Sequence, residues 1–159
     1  MPYNARRILV LILFSFISIS VFSQFRAKEI NWTPDGTAYL KISQGDIIRT
    51  DVVTNNETTI VKKEQLIPAG SQQPLAFNIY SFTPDNKKLL VFTNTAKVWR
   101  YHTRGDYWLL DIASNQLIQL GKGLPSQSLM YAKISPDGKM AAYVSGHNLY
   151  AEDLDSHTI

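Results

Sequence analysis

Phe82–Asp111 reads FTPDNKKLLVFTNTAKVWRYHTRGDYWLLD, and its first dozen residues have two counterparts elsewhere in the chain. Thr83-Pro84-Asp85-Asn86 is matched by Thr33-Pro34-Asp35-Gly36 before it and by Ser135-Pro136-Asp137-Gly138 after it. Each is a turn with a mechanism. The hydroxyl residue opens it, proline presets φ, and aspartate tolerates the third position. Gly36, Asn86 and Gly138 then fall where a type I turn with a bulge needs a left-handed residue, a place asparagine fills better than other non-glycine residues.

Short β-branched and aromatic runs surround these turns, without a sustained helical spacing. The first copy predicts strands over 29–32, 38–42, 46–53 and 58–61. The second predicts strands over 78–82, 88–93, 106–112 and 116–120. The third predicts 130–134, 140–144 and 148–154, with a fourth strand barely begun at Ile159. The turn prolines stand 50 and then 52 residues apart. Four strands per unit at that period describe an all-β fold, a partial β-propeller of about two and a half four-stranded blades. The competing reading is a β-sandwich with three similar hairpins. A closed propeller takes roughly four to eight blades, so the chain reads as an N-terminal fragment whose outermost faces are apolar and uncovered.

An aspartate closes the third strand of each copy: Asp51, Asp111 and Asp153. Turn proline and closing aspartate are 17 residues apart in the first and third copies but 27 apart in the second. The ten added residues correspond to Thr95–Arg104, between the second and third strands. They hold Lys97, Trp99, Arg100, Tyr101, His102 and Arg104. An insertion in one unit of a regular array is a natural place for a site. Arginine presents a planar five-donor fork suited to carbonyls and carboxylates, with Trp99 and Tyr101 beside Arg100 as supporting rings. The plainer reading is a solvated strand extension whose arginine meets only water.

Composition narrows the classes further. Hydrophobic residues make up 45% and charged residues 18% of 159, values that favour a packed domain over disorder. There are no cysteines, which excludes disulfides, thiolate metal sites and thiol nucleophiles from this chain. The net charge of +3 includes Arg6 and Arg7; without them +1 remains, no footprint for nucleic acid.

Met1–Gln24, MPYNARRILVLILFSFISISVFSQ, has a positive start, an apolar run over Ile8–Phe22 and small Ser23 before Gln24. It predicts a signal peptide over 1–23 and a mature chain over 24–159, exported to a periplasmic or extracellular compartment. The alternative is an uncleaved membrane anchor, for which the apolar run is short against the roughly 20 residues a span needs.

The chain has no G-x-S-x-G nucleophile motif. His102, His147 and His157 show no metal-ligand spacing with carboxylates. Neither a cofactor, a metal nor a catalytic residue is predicted. Arg104-Gly105-Asp106 matches a cell-adhesion tripeptide, but its glycine aligns with Gly45 of the first copy and reads as a hairpin residue. Asn31-Trp32-Thr33 and Asn56-Glu57-Thr58 are glycosylation sequons.

Three segments, FTPDNKKLLVFTN, KVWRYHTRGDYWLLD and ISPDGKMAAYVSGHNLYAEDL, resemble the start of the N-terminal β-propeller of dipeptidyl peptidase IV-like serine peptidases, in the prolyl oligopeptidase family. The likeness covers most of the chain after Gln24 and is weakest over Asn55–Gln73. The SPDG-type turns are shared with other propellers, including TolB-like ones; the aromatic-arginine segment is more specific. The resemblance implies a propeller covering an α/β-hydrolase domain with a Ser-Asp-His triad, in an enzyme releasing N-terminal dipeptides with proline or alanine second. It implies a peptide substrate with a free N-terminus, and a homodimer as the assembly family members often form. Arg100, in VWRYH, matches the family arginine that holds a substrate carbonyl. The family's Glu-Glu pair is expected beyond Ile159, as is the hydrolase domain. The other reading is a non-catalytic exported propeller that binds a peptide or protein.

Overall fold

The computed structural model describes residues 30–159. The expected export segment and its cleavage point lie outside them. Among the described residues eleven strands follow one another with one short 3-10 turn over Lys63–Leu66: β1 (Asn31–Trp32), β2 (Ala38–Ser43), β3 (Asp46–Asp51), β4 (Glu57–Val61), β5 (Phe77–Phe82), β6 (Lys88–Val98), β7 (Tyr101–Asp111), β8 (Gln116–Gln119), β9 (Leu129–Ile134), β10 (Met140–Ser145) and β11 (Asn148–Asp153). All pairings are antiparallel between chain neighbours, apart from one bridge between Gly105 of β7 and Leu129 of β9. β1–β4 form the first blade, β5–β8 the second, and β9–β11 three strands of a third. The fold is a partial β-propeller, as the repeat predicts.

The three proline turns have one geometry. In each, the fourth residue lies in the left-handed region, with φ of 67° at Gly36, 57° at Asn86 and 73° at Gly138. The opening hydroxyl donates to the turn aspartate at 2.6 Å in all three, from Thr33 to Asp35, Thr83 to Asp85 and Ser135 to Asp137. The same hydroxyl accepts the backbone N–H of the next strand's first residue, at 3.1 Å from Ala38, 3.0 Å from Lys88 and 2.9 Å from Met140. The aspartate also accepts a backbone N–H two residues on.

A second turn recurs at the other aspartates. Asp51, Asp111 and Asp153 accept the N–H of Thr54, Ser114 and Ser156 at 2.9, 2.8 and 2.8 Å. Asn55, Asn115 and His157 complete these turns with φ of 57°, 57° and 55°. The third copy therefore begins the turn into a fourth strand before Ile159. His157 stands there as the asparagine equivalent.

The middle blade is buried on both faces, which explains its unbroken apolar runs. Leu89, Val91 and Leu110 pack with Ile47, Val61 and Leu66 of the first unit. Their neighbours Leu90, Phe92, Tyr107 and Leu109 pack with Leu129, Ala132, Ala141 and Tyr143 of the third. Alternate residues of the same two strands thus build two cores. The far face of the third blade leaves Tyr131 and Leu149 64% and 77% exposed, the uncovered apolar face expected of an incomplete ring.

Two features depart from expectation. β6 runs on beyond Thr93 and β7 starts well before Asp106, so eight of the ten added residues are strand and Trp99 and Arg100 are the turn between them. Gly105 is accordingly no turn residue. Gly45 has φ of 94°, whereas Gly105 sits inside β7, where an added Cβ would lie 2.6 Å from the Phe92 ring and 2.7 Å from the Thr93 carbonyl oxygen. Close approach requires this glycine, and burial of Asp106 behind it removes the adhesion reading of the tripeptide.

Two outcomes follow for stability. Gly105→Ala has no room without moving the Phe92 ring or the β6 backbone, and is expected to cost about 1–3 kcal/mol in urea unfolding; an unchanged midpoint would refute the close approach. The turn carboxyls set a pH dependence. The Thr33 hydroxyl, then the Thr37 N–H, hold Asp35 down to about 2 from an ordinary 3.8. Asp85 and Asp137 are lowered in the same way, first by the Thr83 and Ser135 hydroxyls. The folded chain then binds fewer protons than the unfolded one, so stability present above about pH 4 is lost as pH falls toward about 2. The urea midpoint should drop across that interval and drop less in Asp35→Asn; a flat profile would contradict it.

Candidate functional site

β6 and β7 are 11 residues each, against six or fewer in every other strand. Their outer halves form an arm that extends past the level of the neighbouring blades. Pairing runs from Lys88 with Asp111 to Val98 with Tyr101, with shifts between Thr93 and Lys97. Asn94, with φ of 46°, marks the bulge. Its counterpart in the first blade is Gln44, with φ of 54° in the β2–β3 hairpin. The insertion therefore lies between a retained turn residue, Asn94, and a retained glycine, Gly105. That is Thr95–Arg104, the segment the proline-to-aspartate spacing marks.

Trp99 and Arg100 make the two-residue turn at the tip. Trp99 adopts φ of 59°, a conformation bulky residues rarely take. Trp99 is 93% exposed and Tyr101 71%. Arg100 is exposed and forms no hydrogen bond or ion pair among the described residues. With both rings in solvent, neither aromatic clamps the guanidinium, whose donor fork is free. Further down, the Thr95 hydroxyl and His102 Nδ1 lie 2.9 Å apart across the two strands. The structure thus brings Trp99, Arg100 and Tyr101 together at one projecting point. In backbone terms it is the strand extension that the plainer reading describes.

A cleft of about 650 Å³ opens between the arm and the β10–β11 turn, lined by Val98 and Arg104 of the arm and by Leu124, Met130, His147 and Tyr150. Its walls are mostly apolar, with a cation and an imidazole at hand. No group of three or more potential ligand side chains could hold a metal among the described residues.

Two buried carboxylates escape sequence reasoning. Glu152 is 1% exposed and accepts the Tyr143 hydroxyl and the Gly121 N–H, each at 2.8 Å. Burial, reinforced by that hydrogen bond and by the charge of Glu152, pushes the Tyr143 hydroxyl well above its ordinary range. Asp106, at the arm's base, is 7% exposed. Strand-end acids are ordinarily solvated, and the partners here lie 9–31 residues away, so only the alternation of β11 with its buried neighbours could have flagged Glu152.

Comparison with known proteins agrees with this architecture. A family model described as the dipeptidyl peptidase IV (DPP IV) N-terminal region matches residues 83–159, from the middle turn through the arm to the third blade. A probable dipeptidyl-aminopeptidase B of Penicillium rubens is 30% identical over 144 residues, covering 82% of this chain and 16% of its own length. Dipeptidyl peptidase 4 of Trichophyton equinum is 31% identical over 121 residues, 76% of this chain and 15% of its own. The crystal structure of Porphyromonas gingivalis dipeptidyl peptidase 4 superposes with a TM-score of 0.68 over 83% of this chain and 18% of that one, at 23% identity, a likeness of fold. The chain spans about one-sixth of the length of the curated relatives it matches. It carries an N-terminal region of the dipeptidyl peptidase IV type.

Proposed function

We propose that this chain is the N-terminal, substrate-positioning part of an exported dipeptidyl peptidase IV-like serine exopeptidase that releases N-terminal X-Pro or X-Ala dipeptides. The observation that carries the reading is the arm: one blade alone is lengthened, and its tip presents an unpartnered arginine between two exposed aromatics. On this reading Arg100 donates hydrogen bonds to a substrate carbonyl, and acidic residues beyond Ile159 hold the free amino terminus. A hydrolase domain of the same protein supplies the nucleophile. Fixing the peptide at two points sets how far it reaches toward that nucleophile, so cleavage is counted from the N-terminus. Positioning of this kind lowers a barrier by several kcal/mol. The fork needs no internal partner, because a bound carbonyl becomes its partner; Trp99 and Tyr101 then close over a peptide instead of over Arg100. The arginine pair and apolar run at Met1–Gln24 support export by a cleaved signal peptide.

The full reading frame should continue for several hundred residues with a Glu-Glu pair early and G-x-S-x-G late. A frame that ends once the ring closes would favour a non-catalytic exported propeller. In the intact enzyme, Arg100→Ala should lower kcat/KM for a Gly-Pro chromogenic substrate about tenfold to a hundredfold, the worth of a charge-assisted hydrogen bond, without lowering the unfolding midpoint. Near-normal kinetics would return Arg100 to the solvated residues. The 159-residue chain alone should release no dipeptide.

A further inference from the structure

The base of the arm holds a polar network that the repeat itself does not require. Asp106 Oδ1 accepts the Gln127 N–H at 2.7 Å, and its Oδ2 accepts the Asn94 side-chain amide at 2.7 Å and the Ser126 hydroxyl at 3.2 Å. The Asn94 amide also donates to the Ser126 Oγ at 3.1 Å, and its Oδ1 accepts the Gln127 side-chain amide at 2.9 Å. The first blade is an internal control. Asp46 stands 12 residues after Pro34, as Asp106 stands 22 after Pro84 with ten inserted. Asp46 Oδ1 accepts the Lys63 N–H at 2.8 Å, the same latch onto the segment that follows the blade. The side chains of Asn94, Ser126 and Gln127 are added to that latch in the blade that has the arm.

We infer that Asp106 and Asn94 are positioning residues that brace the arm against the segment entering β9 and so fix where Arg100 sits; the inference rests on the proposed role of Arg100. The geometry gives the brace leverage. Six residues of strand separate Asp106 from Arg100, about 20 Å at the usual rise. A tilt of about 5° at the base therefore displaces the tip by roughly 2 Å, and a misplacement near 1 Å can cost about a hundredfold in rate. At the tip itself Trp99, Arg100 and Tyr101 are all exposed. Asn94 suits its place twice, tolerating the left-handed backbone of the bulge and carrying an amide that both gives and accepts.

Asn94→Gly tests the brace, because glycine keeps the left-handed backbone and deletes the amide. In the intact peptidase it should lower kcat/KM about tenfold or more, yet cause no further loss once Arg100→Ala is present. Equal losses in both backgrounds would overturn the inference and leave a folding role. A second measurement separates this from the role of Arg100. The chain has no cysteine, so spin labels at Lys97→Cys and Leu149→Cys report the arm against the third blade in the 159-residue chain. Asn94→Gly should broaden that distance distribution about twofold, as expected when a hydrogen-bonded network is cut. Broadening with silent Arg100→Ala kinetics supports the brace and refutes the substrate role; an unchanged distribution refutes the brace whatever the kinetics.

Discussion

Everything in this structure is referred to the carboxylates that close the turns. Asp35, Asp85 and Asp137 fix the hairpin between the first and second strands of each blade, and Asp51, Asp111 and Asp153 fix the turn after the third. Both turns lie at the same end of the blade, since Lys88 at the start of β6 pairs with Asp111 at the end of β7. Register is therefore set from that end. The opposite end, where the second and third strands join, has no turn closed by a carboxylate in this way. Ten residues can be added there without altering the side-chain alternation that builds the two cores. The arm grows at the one end the turns leave open.

That logic also accounts for what could be read in the sequence. Turn chemistry is local, so the threefold pattern located the hairpins and their left-handed residues directly. Strand ends fall within one or two residues of those expected except at the arm, where β6 ends at Val98 instead of Thr93 and β7 starts at Tyr101 instead of Asp106. The arm was located by counting, but its conformation was not legible. Trp99-Arg100 has none of the glycine or asparagine chemistry that marks a tight hairpin, and Gly105 invited a turn where the backbone is extended. Glu152 and Asp106 were missed for a different reason. A carboxylate is buried only when its partners are supplied, and those partners come from remote segments such as Gly121 and Gln127.

The candidate site divides the arm into a braced base and a free tip. Its base is tied to the adjoining segment through Asp106 and Asn94. Its tip offers a guanidinium with no partner and two rings in solvent. A structural hairpin would gain by burying those rings and pairing that charge; leaving them open suits a surface completed by a ligand or by another part of the protein. Residues 83–159, the tip among them, match the family model of the dipeptidyl peptidase IV N-terminal region. The chain spans about one-sixth of the length of the curated relatives it matches.

The central claim is that Arg100 meets a substrate carbonyl. A structure of the intact peptidase with a bound substrate-like peptide tests it most directly. The account predicts the Arg100 guanidinium about 2.7–3.2 Å from a peptide carbonyl oxygen, with the arm held at its present angle to the third blade. A peptide bound with Arg100 still in solvent would contradict it.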